Sequence, residues 1–122
     1  MTIGIGIDAV DIERFRRSLA RTPTMRTRLF TDEELEYVAS KADPVPSLAA
    51  RFAAREAVMK ALGLGLGAFG FHEVWVEVED SGAPRLVVTG RARELAADRG
   101  VVRWHLSISH DGPMAIAMVV AE

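Results

Sequence analysis

The sequence contains no cysteine, and that one absence removes a disulfide framework, a thiolate metal site and a cysteine nucleophile together. Carboxylates and imidazoles are left as the groups that could ligate a metal or move a proton. Aromatics are scarce at 7%, with one tyrosine and two tryptophans. A glycosidase built on paired acids therefore lacks an obvious sugar-binding cleft, and a nucleic-acid surface lacks stacking partners. No apolar run approaches the length of a transmembrane helix. The first residues run straight into strand-like alternation, with no basic segment, apolar core or cleavage site of an export signal, so a cytoplasmic protein is expected. Lysine is nearly missing too: Lys41 and Lys60 stand alone among cations that are otherwise arginine.

What is present suits one globular domain spanning residues 1–122, with 49% apolar and 26% charged residues and enough length for one real core. The net charge of −2 conceals an uneven distribution. Six arginines and no acid lie between Arg14 and Arg28, and the acidic cluster Asp32, Glu33, Glu34 and Glu36 follows at once. A basic stripe of this kind suits an acidic protein or a polyphosphate; a solvated helix face accounts for it about as well.

Ile3, Ile5 and Ile7 alternate with Gly4, Gly6 and Asp8, which predicts a strand with one apolar face and one face stripped of side chains. Something must approach the bare face closely. From Asp11 to about Leu19 the spacing turns helical, with Ile12, Phe15 and Leu19 on one side, and a loop is expected from Thr22 to Thr27 around Pro23. "FTDEEL" carries a capping box between Thr31 and Glu34, with Phe30 and Leu35 as a hydrophobic staple. That helix should end near Ala39 or Ser40, before the prolines of "KADPVPS". A third helix follows from about Ser47 to Leu62, its stripe formed by Leu48, Phe52, Met59 and Leu62 and its stop by Gly63. "GLGLGAFGF" reads as a loop that hugs something. "HEVWVEVED" and "RLVV" form a hairpin across Ser81–Pro84, "RARELAADRG" a helix stopping at Gly100, and "VVRWHLSIS" with "MAIAMVVA" a second hairpin through "HDGP". The fold expected is α+β, a mostly antiparallel sheet packed against helices.

On a helix of about 100° per residue, Glu56 falls at the edge of the buried stripe, beside Phe52 and Met59. Lys60, one turn on, would make an i to i+4 pair with it, a contact of only about 0.3–0.5 kcal/mol if that is its whole role. A lone lysine in an arginine-rich chain can instead serve as a compact point charge. Asp8 alone reads as a turn or cap residue, yet it ends a face of glycines that invites close approach. Two carboxylates with phosphate oxygens and water make a plausible magnesium site. In the last hairpin His105, Ser107 and Ser109 form the polar face of a strand that ends at His110 and Asp111; taken alone, solvent exposure explains them more readily than chemistry.

Taken in order, "GIGIDAVDIERF", "FTDEE", "RFAAREAVMKALG" and "LSISHDG" resemble the short-chain holo-acyl-carrier-protein synthases, 4'-phosphopantetheinyl transferases of fatty-acid synthesis, and the resemblance covers essentially the whole chain. It implies transfer of phosphopantetheine from coenzyme A to a serine of an apo acyl carrier protein, with release of adenosine 3',5'-bisphosphate. It implies Asp8 and Glu56 as magnesium ligands, Lys60 as a charge on the phosphates, and Glu56, a metal-bound water or His110 as the base. Contacts to coenzyme A are implied for Arg51, Arg55, Gly63, Gly65, Pro84, His105, Ser109 and His110, and carrier docking for Arg14, Arg17 and Arg21 on the first helix. Family members form trimers with the active site between subunits, so a homotrimer is expected, without nucleic acid or membrane.

Two departures stand out. Arg55 replaces the lysine usual before the glutamate, which limits it to electrostatic or hydrogen-bonding roles, and "GLGLG" lacks the hydroxyl of the more usual "GTG". The rival expectation is a non-catalytic basic module that binds an acidic protein partner. It has no need of Asp8, Glu56 or magnesium, whereas a transferase cannot work without them.

Overall fold

A computed structural model describes residues 1–122. Strand β1 (Gly4–Asp11) leads into helix α1 (Ile12–Arg21), followed by α2 (Met25–Leu29), α3 (Asp32–Val38) and the long α4 (Val45–Ala61). A single 3-10 turn (Phe71–Glu73) precedes the hairpin β2 (Val74–Val78) and β3 (Pro84–Val88), then α5 (Gly90–Asp98) and the hairpin β4 (Trp104–Asp111) and β5 (Met114–Ala121). The strands form two antiparallel sheets, β1-β5-β4 and β2-β3. The architecture is α+β, as expected.

Helix α4 runs through the middle. Its Ala53, Ala54, Ala57, Val58 and Met59 pack on Ala117 and Val119 of β5 and on Val74, Val76 and Leu86 of the hairpin. Its first half meets Ile12, Phe15 and Leu19 of α1 together with Phe30 and Val38. The helix is thus buried nearly all round rather than along one stripe, because the sheet covers one side and the α1–α3 layer another. Phe52, expected in the core, is only half-buried and stacks 5.4 Å from Phe15 at the edge of a cleft.

What approaches the bare face of β1 is the backbone of α4. A Cβ on Gly6 would lie 1.8 Å from the Ala57 carbonyl oxygen, and one on Gly4 would lie 1.9 Å from that of Ala61. No side chain fits there, which is why only glycine serves. The isoleucines consequently face outward, with Ile5 61% and Ile7 57% exposed, beside exposed Ile116 and Met118 of β5. His105, Ser107 and Ser109 share this outer face.

Three local expectations shift. The Thr22–Thr27 loop is interrupted by α2, a five-residue helix without a side-chain cap, held by buried Leu29 and Phe30. Helix α4 starts at Val45 rather than Ser47, because a proline is tolerated in a first turn and Asp43 Oδ1 accepts the Val45 N–H at 3.1 Å. In the 63–71 loop Gly63, Gly65 and Gly67 face open space and only Gly70 lies against another group, the Glu73 carboxylate; buried Phe69 anchors the segment. The Thr31–Glu34 capping box forms as read, and the last hairpin closes on Gly112–Pro113, with Gly112 at φ 55° as two-residue turns require. No helix is long and apolar enough to cross a membrane.

Candidate active site

Because α4 lies directly on β1, the last residue of the bare face, Asp8, comes beside the exposed edge of that helix. Lys60 Nζ donates to Asp8 Oδ1 at 3.0 Å and to the Ile7 carbonyl at 3.0 Å. Glu56 sits one turn earlier on α4, half-buried. Burial raises its pKa above the ordinary value, the Asp8 charge raises it further, and Lys60 works against both. The expected Glu56–Lys60 pair is therefore not made: Lys60 crosses to the strand.

Asp8 and Glu56 open into a cleft of about 380 Å³ between β1, α1, α2 and α4, with Val10, Phe15, Met25 and Phe52 as its apolar wall and Asp11 and Arg14 at its rim. Asp11 itself caps α1, accepting the Arg14 N–H at 2.9 Å. No cluster of three or more acidic or imidazole side chains exists to enclose a metal completely. Glu56, whose charge Asp8 disfavours, and Asp8 together suit a hard cation that draws its remaining oxygens from phosphate and water, which is the habit of magnesium.

A second cleft of about 260 Å³ lies where α3, α4, the β2–β3 hairpin and the end of β4 converge. It is lined by Tyr37, Lys41, Ser47, Arg51, Gly82, Pro84, Ser109 and His110 among others. Arg51 is the buried cation of this cleft, 4% exposed. Its guanidinium lies over the Tyr37 ring at 5.0 Å, its Nη1 donates to Ser47 O at 3.3 Å, and its Nε is buried with no partner. Burial lowers its pKa, with Glu34 and Tyr37 opposing and Arg55 adding to the effect. Lys41 and Tyr37 escaped sequence reasoning. The scarcity of lysine was the one signal that pointed to Lys41.

The residues singled out from sequence therefore fall into separate places within one chain. Asp8, Glu56 and Lys60 are together, with Arg14 on the same cleft. Arg51, Pro84, Ser109 and His110 line the second. His105 is on the outer sheet face, its Nε2 3.4 Å from Glu122 Oε1, and Gly63 and Gly65 are exposed beyond the end of α4. Arg14, Arg17 and Arg21 stand exposed and free of ion pairs. Between them Arg16 is drawn off to Glu13 and to Asp43, whose carboxyl it holds at about 2.

Arg55 is a correction. Expected at coenzyme A, it is 0% exposed, and its donors are taken by Glu34, by the Phe71 carbonyl at 2.9 Å and by the Arg51 carbonyl at 3.3 Å. It offers no surface to a ligand in this chain. Its partner Glu34, also buried, serves the capping box of α3 at the same time.

The family model of the 4'-phosphopantetheinyl transferase superfamily matches residues 4–119. A curated relative, the holo-[acyl-carrier-protein] synthase of Streptomyces avermitilis, is 54% identical over 121 residues, covering 98% of this chain and 97% of its own. The solved structure of the Neisseria meningitidis holo-[acyl-carrier-protein] synthase superposes with a TM-score of 0.90 at 34% identity, covering 100% of this chain and 99% of that one. The Bacillus anthracis holo-(acyl-carrier-protein) synthase, solved in complex with CoA (3',5'-ADP), superposes with a TM-score of 0.83 at 31% identity, covering 99% and 96%.

Proposed function

We propose, on the premise that this chain belongs to the 4'-phosphopantetheinyl transferase superfamily as a holo-[acyl-carrier-protein] synthase, that it transfers 4'-phosphopantetheine from coenzyme A to a serine of an apo acyl carrier protein. The reaction releases adenosine 3',5'-bisphosphate and depends on magnesium. The observation that carries this reading is that Asp8 and Glu56 line one cleft while Lys60 is bonded to Asp8.

Asp8 and Glu56 are the residues that would hold Mg²⁺, which when bound supplies neutralisation of the pyrophosphate charge. Lys60, turned toward Asp8, would bond the phosphate oxygens as charge builds on the leaving group. The serine oxygen forms its bond to the β-phosphorus, the bond from that phosphorus to the adenosine bisphosphate breaks, and the serine proton needs an acceptor. Glu56, in the same cleft, and a water on the metal are the acceptors within reach of this site. His110 lines the other cleft and qualifies only if a second chain brings it near.

A homotrimer answers that geometry. The outer sheet face exposes Ile3, Ile5, Ile7, Ile116 and Met118, more apolar surface than a solvated strand face needs. A neighbouring chain packed there would cover it and could set the Arg51 cleft of one subunit against the Asp8 cleft of another. Arg14, Arg17 and Arg21 offer the acidic carrier a docking face. The chain would act as one catalytic domain in the cytoplasm, in fatty-acid synthesis.

Intact-mass spectrometry of an apo acyl carrier protein, incubated with this chain, coenzyme A and magnesium, tests the reading. The expected result is a phosphopantetheine mass gain that disappears with chelator. Absence of gain on several folded apo carriers would leave a basic module for acidic partners in its place.

A further inference from the structure

At the inner wall of the second cleft, two guanidinium groups share one carboxylate. Arg51, Arg55 and Glu34 are 4%, 0% and 1% exposed, so the cluster places one surplus positive charge inside the protein. Such a surplus is costly unless something compensates it.

The hydrogen bonds decide which arginine carries the surplus. Arg55 approaches Glu34 in fork geometry, Nη1 to Oε2 at 3.0 Å and Nη2 to Oε1. The same two oxygens accept the Val76 N–H at 3.1 Å and the Thr31 N–H at 3.0 Å. Oε1 also meets the Thr31 hydroxyl at 3.4 Å, so Oε2 has two donors and Oε1 three, which exhausts the acceptor sites of a carboxylate. Arg51 is excluded from Glu34 although it sits one turn before Arg55 on α4. Its Nε stays unpartnered and its charge unpaired, on the wall of a cleft that also holds Lys41 and His110.

We infer that Arg55 is a positioning residue for Arg51: by saturating Glu34 from the core side, it keeps that carboxylate from neutralising Arg51 and leaves Arg51 available to a phosphate of coenzyme A in the second cleft. The inference rests on reading that cleft as part of the coenzyme A site. Without Arg55, Glu34 would keep its bonds from the Thr31 and Val76 amides, and Arg51 would be the buried cation left to pair with it. The cleft would then lose its buried free charge, keeping only exposed Lys41, without any change to a residue that lines it.

Calorimetric titration of coenzyme A into the full-length protein tests this with three variants. Arg51→Met removes the proposed anion contact, Arg55→Met frees Glu34, and the double substitution Glu34→Gln with Arg55→Met removes the competing carboxylate as well. The expected result is that Arg51→Met and Arg55→Met each weaken binding by about tenfold, the scale of one charge-assisted hydrogen bond. The double variant should return to within about twofold of the parent, because its Arg51 is free again. A purely structural role for Arg55 gives the opposite order, since the double variant has lost more of the buried network. Weak binding by Arg51→Met together with parental binding by Arg55→Met, or with no recovery in the double variant, overturns the inference and leaves the cleft assignment standing. Parental binding by Arg51→Met overturns the cleft assignment and the inference with it. If Arg55→Met does not fold, Arg55→Gln replaces it with a smaller weakening expected, because its single amide nitrogen can engage one Glu34 oxygen and leaves the other open to Arg51.

Discussion

Lys60 reaches from α4 to β1 and bonds Asp8 at 3.0 Å, leaving Glu56, one turn back on its own helix, without an ion pair. The local spacing favours Glu56 as the partner of Lys60, but α4 rests on β1, and the strand offers both a carboxylate and the Ile7 carbonyl to the same ammonium. The two acids are therefore unequal before any ligand arrives: Asp8 is compensated and Glu56 is not.

Substituting Lys60 should show what the ammonium does beyond holding Asp8. Lys60→Ala is expected to lower kcat by about a hundredfold, the usual effect of removing one preorganised donor, with little change in KM for the carrier protein. Lys60→Arg should recover only part of it, because a planar fork does not replace a compact charge. Unchanged kcat in Lys60→Ala would reduce Lys60 to a structural tie.

Glu56 gives a pH dependence whose sign follows from its raised pKa. Without metal, the folded protein keeps a proton on Glu56 that the unfolded chain has released, from the ordinary glutamate value up to the raised one. Unfolding free energy measured in denaturant with chelator should therefore fall as pH rises through that window. Asp8→Asn should narrow the window without closing it, since burial, the larger cause, remains. A slope that Asp8→Asn leaves untouched would show that the two carboxylates do not sense each other.

Gly6 and Gly65 make a matched pair of substitutions. Gly6→Ala drives a Cβ into the Ala57 carbonyl and should cost about 3 kcal/mol or prevent folding. Gly65→Ala meets nothing within 4 Å and should melt within a degree or two of the parent, as surface changes usually do. Equal melting temperatures would mean that β1 and α4 separate easily.

Carrier docking is best tested with Arg17 and Arg21, since Arg14 also lines the Asp8 cleft. Reversing both to glutamate should raise KM for the carrier protein by about tenfold or more while KM for coenzyme A stays near its parental value. Equal effects on the two substrates would remove α1 as the docking face.

The outer face of the sheet predicts the assembly. In a sedimentation experiment at micromolar concentration the parent should run as a trimer and Met118→Asp as a monomer, with activity lost alongside. A parent that sediments only as a monomer would rule out a site shared between chains.

Legibility in the sequence followed distance along the chain. The Thr31–Glu34 box could be read because both partners lie within one helical turn, and so could the need for something close to Gly4 and Gly6. That this something was α4 could not, because the contact joins residues some fifty positions apart and has no side-chain pattern on the strand. Glu34 was hidden by its own success as a capping residue: nothing local announces that the same carboxylate meets Arg55 across 21 positions. Arg55 was read as a ligand contact for the same reason. The second cleft gathers Tyr37, Lys41, Arg51, Pro84 and His110 from four elements, so only the closed fold reveals it. Helix α2 was too short to show a period and too poorly capped to show a start.

The contact of α4 with β1 through Gly4 and Gly6 is made between main chains, and main-chain atoms are the same whatever the sequence. Core side chains can drift, leucine to methionine or valine to isoleucine, while the strand and the helix keep their spacing, because no side chain stands between them to swell or shrink. Asp8 and Glu56 are mounted on those two elements. Their separation is thus insulated from changes of side-chain volume in the core, and that insulation is concentrated in two positions where any side chain would strike the helix backbone.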